Sequence, residues 1–240
     1  MDYSQALERT DTPFVILRHD IDFCPESALI MALVEAELDV RSTYFFQLRS
    51  PLYNVLSTHS ASILSQIYQL GHTVALHFDL NAYVPPFIQD LERDLRVFSN
   101  YFAFATTDIV SIHLAGKNKS YLKDLLLPQS IRHTYEGIYC SNIYYSSDST
   151  GRWRFGCPVE TEAFLERRSI QLLTHPLWWV YPGRDDEPLS KLHSFLESVR
   201  DQMITYIEDT AVTFPVTSLR YSLSQEQPTM HSIAVDGLNE

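Results

Sequence analysis

Cysteine is scarce in this chain. Only Cys24, Cys140 and Cys157 occur among 240 residues, and no two have Cys-x-x-Cys spacing. A disulfide scaffold or a thiolate zinc site is therefore not the organising device, and a reducing compartment is the expected setting. Positive charge is also short: 18 lysines and arginines stand against 30 acidic residues, a net charge of −12. Broad nucleic-acid binding needs a cationic surface, so no nucleic-acid partner is expected. No apolar run approaches the roughly 20 residues that span a bilayer, so no membrane insertion is expected. The start, Met1-Asp2-Tyr3-Ser4-Gln5, has no basic stretch leading into an apolar one. A cytoplasmic protein is the corresponding expectation.

What the chain does have is core-forming material. Hydrophobic residues make up 45%, enough to argue against disorder as the overall state. Short apolar runs alternate with helical patterns. Strands are expected at 14–17, 42–46, 73–76, 109–112, 138–145, 170–173 and 212–219. Helices are expected from Pro25 to Leu38, with Leu29, Leu33 and Ala36 as the apolar stripe, around Ile63 to Leu70, from Pro85 to Phe98, and from Leu189 to Ile207. Gly71 suits a helix stop. Such alternation implies a parallel sheet with helical crossovers, in one α/β domain that is either barrel-like or doubly wound. Only the tail after Ser222 looks loose, giving a domain over 1–222 and a tail over 223–240.

The polar residues fall at the ends of these strands. Phe-Val-Ile-Leu runs into Arg18-His19-Asp20-Ile21-Asp22, Thr-Val-Ala-Leu into His77-Phe78-Asp79, Ile-Val-Ser-Ile into His113, and Ile-Gln-Leu-Leu into Thr174-His175-Pro176. In parallel α/β proteins the C-terminal strand ends gather on one face, where sites lie. Histidine and carboxylate without thiolate suit zinc, and also iron, cobalt, nickel or manganese. A catalytic zinc activates water. A second carboxylate can take that water's proton, and a histidine across the site can protonate a leaving group. Asp20 and Asp22 lie two apart, so on extended chain they face one side.

These motifs resemble the NodB-type polysaccharide deacetylases of the carbohydrate esterase class, over about Val15 to Trp179. "RHDID" resembles the family's Asp-x-Asp motif, which implies Asp20 as base and Asp22 as metal ligand. "VRSTYFF" resembles its second strand. "GHTVALHFD" resembles the metal-histidine motif and implies His77 as ligand. "LLTHPLWW" resembles the last motif and implies His175 as general acid. "SDSTGRWR" and the strand end "SIH" are similar to stretches of a subgroup linked to surface-polysaccharide gene clusters. The resemblance implies a single distorted (β/α) barrel of about seven strands. It also implies a divalent metal, zinc first, and a small-molecule or oligosaccharide substrate from which an acyl group is hydrolysed at an amide bond. The alternative is a non-catalytic carbohydrate- or metal-binding protein that kept the barrel.

The sequence departs from the family pattern in two places. The second histidine of the metal motif is replaced by Asn81. His113, at a neighbouring strand end, is the preferred third ligand, with Asp79 and then Asn81 behind it. The family's arginine motif is absent, leaving Arg18, Arg152 or Arg154 to orient Asp20. His19 is expected as a packing group and His72 as solvent-facing beside Gly71. Asp148 and Ser149 read either as a turn before Gly151 or as part of the site. Trp153, Trp178 and Trp179 suit the core, with Trp178 also a candidate pocket wall, and Cys24 is a bystander.

Overall fold

The computed structural model describes residues 3–8, 12–117, 122, 127–128, 130–153 and 156–210. The expected strand at 212–219, the tail at 223–240 and Arg154 lie outside the described residues. The chain forms two compact units, residues 1–192 and 193–240. The sheet and the site belong to the first. Among the described residues, no helix is long and apolar enough to cross a membrane.

Seven parallel strands form one sheet: β1 (Val15–Ile21), β2 (Thr43–Gln47), β3 (Thr73–Phe78), β4 (Ile109–Ile112), β5 (Arg132–His133), β6 (Tyr144–Ser147) and β7 (Ile170–Thr174), in the order β5-β4-β3-β2-β1-β7-β6. That order is the cyclic order of a barrel. It has no reversal, so the doubly wound alternative, which needs a topological switch point, falls away. The edge strands β5 and β6 share no backbone ladder among the described residues; side chains close the seam between them. Tyr135, just after β5, meets Tyr145 of β6 edge-on at 6.0 Å. Gln171 of β7 donates from Nε2 to the carbonyls of Thr134 (3.1 Å) and Tyr139 (2.8 Å). The expected distorted barrel of about seven strands is the fold observed.

Alternation along the strands sorts residues between two layers. Tyr44, Phe46, Val74, Leu76, Val110 and Ile112 face outward and pack with the helices α2 (Pro25–Glu37), α3 (Thr58–Gln69) and α4 (Ile88–Tyr101). Ile16, Phe45, Ala75 and Ile109 face inward, where Tyr3 of the short helix α1 (Tyr3–Glu8) and Tyr139 join them. The Tyr3 hydroxyl donates to Gln171 Oε1 at 2.5 Å. The barrel interior is thus apolar at one end, with Tyr3 as part of its floor.

Several boundaries differ from expectation. β1 continues through Arg18, His19 and Asp20 to Ile21, because these polar side chains all find buried partners. The segment expected as a strand at 138–145 holds a helical turn, Gly137–Cys140, before β6. In α2 the buried face carries Ser27, Ala28, Ala32 and Glu35, while Leu33 is exposed. Of the expected stripe, Leu29 packs partly buried against the core and Ala36 is half-buried, but Leu33 is not part of it. Small residues bring the helix close to the sheet, and Glu35 is accommodated because its carboxylate is fully bonded. It accepts from Ser42 Oγ (2.6 Å) and Tyr44 OH (2.7 Å) and pairs with His19 Nε2 (2.8 Å). Burial pushes the Glu35 carboxyl up, but His19 and the two hydroxyl donors outweigh it and lower its pKa to about 2. His19 Nδ1 meets Thr174 Oγ1 at 2.6 Å, so this buried carboxylate ties together β2, β1 and β7. His72 is buried rather than solvent-facing. Its Nε2 donates to the Ala32 carbonyl at 3.0 Å and its Nδ1 accepts from the Ser42 amide at 3.3 Å, and burial lowers its pKa. Gly71 does end α3, at φ +91, where a Cβ would come within 2.7 Å of Arg41 Nε.

Candidate active site

β1 builds the site by its period of two. Arg18 and Asp20 point into the barrel, and Asp22 follows just beyond the strand. Arg18 is fully buried; its Nη2 lies 3.3 Å from Asp20 Oδ2 and 2.7 Å from Tyr135 OH, with the guanidinium 4.6 Å from the Tyr135 ring centroid. Burial opposes its charge, but Asp20 and the surrounding tyrosines hold its pKa well above the usual value. Of Arg18 and Arg152, the described candidates to orient Asp20, Arg18 is the one in contact with it. Arg152 reaches the Asp186 carbonyl at 3.5 Å. Asp20 Oδ2 also accepts from Ser111 Oγ at 2.9 Å. The other oxygen, Oδ1, is buried and has no hydrogen-bond partner among the described residues. A buried carboxylate oxygen left unpaired is costly, and its presence calls for an explanation in function.

Beside Asp20 stand Asp22, His77 and His113, whose donor atoms form one cluster. Asp22 Oδ1 to His77 Nε2, His77 Nε2 to His113 Nδ1, and His113 Nδ1 to Asp22 Oδ1 are each 3.1 Å. His77 comes from the end of β3. His113 follows β4, its amide bonded to the Phe78 carbonyl at 2.8 Å. The Ser111 carbonyl, 3.2 Å from His77 Nδ1, takes that nitrogen's proton and leaves Nε2 with its lone pair toward the cluster, a usual way to fix a ligating imidazole. Burial raises the Asp22 pKa, but hydrogen bonds and charge from His113 and His77 carry it well below the usual range. Burial depresses His113, and Asp22 more than offsets this and raises it.

The donor set fits a divalent metal. It holds two imidazole nitrogens and a carboxylate oxygen, spaced like one face of a coordination shell with bonds of about 2.0–2.2 Å. Of the histidine and carboxylate alternatives for the third ligand, the cluster includes His113 and not Asp79. The local reason is a turn. After β3 the chain enters the 3-10 helix Leu80–Ala82, and Asp79 Oδ1 caps it by accepting from Asn81 N (2.9 Å) and Nδ2 (2.8 Å). Both side chains are engaged with each other, and Asn81 is exposed.

His175 follows β7. Its Nδ1 meets Asp148 Oδ1 at 2.7 Å, and its Nε2 lies 3.7 Å from Asp22 Oδ2. Burial lowers the imidazole pKa, but the bond to Asp148 and the charges of Asp148, Asp22 and Asp20 raise it to about 9. Asp148 is the residue sequence reasoning left undecided. It is buried, and besides the ring it accepts from the His175 amide at 3.0 Å and from Trp179 Nε1 at 2.7 Å. Its place at the end of β6, beside His175 at the end of β7, was the available signal. A cleft is lined by Asp20, Asp22, Phe23, Cys24 and His175. Cys24 takes part only through Ser27 Oγ at 3.0 Å and Tyr181 OH at 3.8 Å. Trp178, the candidate wall, is buried against Phe23 at 5.9 Å. Trp179 is the exposed one, at 54%, tilted against Trp153 at 5.8 Å.

No protein-family profile and no curated protein matches the chain. Solved structures do. The chain is similar to solved carbohydrate esterases. A chitin deacetylase from the fungus Colletotrichum lindemuthianum matches at 14% identity, over 80% of this chain and 84% of that one, with a TM-score of 0.46. A Streptococcus mutans CE4 esterase matches at 15% identity, over 87% and 88%, with a TM-score of 0.45. A CE4 family pseudoenzyme from Bacillus anthracis matches at 12% identity, over 81% and 63%, with a TM-score of 0.38. At such identities and TM-scores, roles for individual residues come from this chain's own geometry.

Proposed function

We propose that the chain is a metal-dependent hydrolase that removes an acyl group from an N-acylated sugar, free or within an oligosaccharide. The observation that carries this reading is the convergence, on one barrel end, of a three-donor cluster, a carboxylate with one unpartnered oxygen, and an Asp-bound histidine. Asp22, His77 and His113 would hold the ion. When bound, such an ion polarises the acyl carbonyl and makes water a nucleophile near neutral pH. Asp20, its Oδ2 anchored by Arg18 and Ser111, takes the water's proton on Oδ1. His175, held through Nδ1 by Asp148, delivers a proton from Nε2 to the departing amine nitrogen. The sugar assignment rests on the motif resemblance and on Trp179, whose exposed face beside Asp148 suits a pyranose ring.

Two measurements test this reading. Elemental analysis of protein purified without chelator should find one divalent metal per chain, lost in Asp22→Ala, His77→Ala and His113→Ala and kept in Asn81→Ala. Unchanged metal content in the first three would remove the centre. Metal-loaded protein should release acetate from at least one member of a panel of N-acetylated sugars and nucleotide-sugars. Release from none would leave the binding-protein alternative. On a confirmed substrate, Trp179→Ala should raise KM about two- to tenfold, the worth of an aromatic stacking contact of about 0.5–1.5 kcal/mol. Trp179→Phe should retain most of the affinity, and a KM unchanged in both would place the sugar elsewhere.

A further inference from the structure

Gln47 closes β2 and is buried. Alternation turns its side chain to the barrel interior, the same side as Phe45, and it is the register partner of His77 on β3. Its terminal amide lies 3.2 Å from Asp22 Oδ1 and 3.3 Å from His113 Nδ1. Those are two of the three cluster atoms that would turn their lone pairs toward an ion. Gln47 is thus a fourth polar group at the centre, and the roles derived above do not use it.

The amide has two ends of nearly identical shape, and which end faces the cluster follows from its charge partners. With no ion present, the NH₂ end donates to Asp22. With an ion present, the lone pairs of Asp22 and His113 are committed, and two amide protons beside a cation are repelled by it. The oxygen carries the amide's negative end and is the stable one to present. Five of the six separations among the four groups are 3.1–3.3 Å, which matches the edge length of a shell with bonds of about 2.0 Å.

We propose that Gln47 is the fourth protein ligand of the metal, through its amide oxygen, added to Asp22, His77 and His113. This rests on the metal centre proposed above. It makes the site a two-nitrogen, two-oxygen set with one formal negative charge. An ion so held binds a further ligand only by exceeding four-coordination, which favours ions tolerant of five or six ligands over strictly tetrahedral ones.

Cobalt(II) titration of the metal-free chain, read by visible d–d absorption and by competition with a chromophoric chelator, tests the proposal. Gln47→Leu keeps the volume and loses the oxygen. It should bind cobalt about 10–100-fold more weakly, the range seen when one supporting group of a metal site is removed, with a shifted d–d band. Gln47→Glu should bind more tightly than the parent, because the same position then carries a full charge. A crystal structure of the cobalt-loaded parent should place the Gln47 amide oxygen at a bonding distance of about 2.0–2.2 Å. If the parent binds cobalt but Gln47→Leu shows parental affinity and spectrum, or the oxygen lies beyond about 3 Å from the ion, outside coordination range, this assignment fails alone. If the parent binds no cobalt, the metal centre fails and takes this assignment with it.

Discussion

Asp20→Asn is expected to lower turnover by about 10²–10⁴-fold, the usual share of one general base, while metal content stays at the parental level. The side chain is nearly isosteric, so what changes is basicity. Oδ2 is occupied by Arg18 at 3.3 Å and Ser111 at 2.9 Å, and an amide oxygen placed there keeps both donors. Oδ1 is the unpartnered oxygen, and an amide nitrogen in its place cannot accept a proton. The variant also leaves Arg18 buried with a weaker partner, and removing one member of a buried pair destabilises the fold. Thermal melting therefore accompanies the assay, with rates normalised to folded protein. Asp20 Oδ2 is 3.9 Å from His77 Nε2, so the metal measurement is informative. Loss of metal together with activity would move Asp20 from base to ligand.

His175→Ala is expected to cost a similar factor, about 10²–10⁴-fold, and to abolish the alkaline limb of the pH–rate profile. The acid works when protonated, and its pKa is raised to about 9, so activity should fall as pH rises through that value. Asp148 is the main upward influence and burial the opposing one. Asp148→Asn should therefore let burial prevail and move the alkaline limb to lower pH. In metal-free protein, an NMR titration of the His175 ring should show the same downward move. The linkage has a definite sign. A histidine raised above its unfolded value of about 6.5 stabilises the fold fully below that pH, and the contribution disappears as pH rises through about 9. A His175→Ala enzyme with full activity and an intact alkaline limb would remove this residue from the chemistry.

The sequence made most of the site readable because the chemistry sits where strands end. Asp20, Asp22, His77, His113 and His175 are scattered over more than 150 positions, yet each follows a short apolar run, and parallel strands bring such ends together. Asp148 was harder, since an aspartate before Ser-Thr-Gly equally suits a turn. Gln47 was missed because a lone glutamine after Tyr-Phe-Phe carries no signal until its register opposite His77 is known. Apolarity also ended β1 too early. It registers burial against hydrocarbon, whereas Arg18, His19 and Asp20 are buried against one another's partners. The same blindness misjudged α2, where a glutamate takes the inward place and a leucine the outward one. β5, only two residues long, is too short to leave a periodic trace.

β1 carries polar groups on both faces, and this bears on how the chain finds its pairing. Arg18 and Asp20 serve the barrel interior, while His19 between them serves Glu35 on the helix side. In an ordinary strand, a slip by one residue exchanges an apolar face for a polar one and is rejected by the hydrophobic effect. Here both faces are polar near the strand's end, so that safeguard is weak. Electrostatics takes its place. A one-residue slip of β1 that carried Asp20 to the place of His19 would turn it toward Glu35, setting two carboxylates together in a dry layer. Burying such a pair costs more than misplacing a methyl group. Asp20 would thus also disfavour that slip through Glu35, and a substitution that neutralises either carboxylate would relax this check as well as its local role.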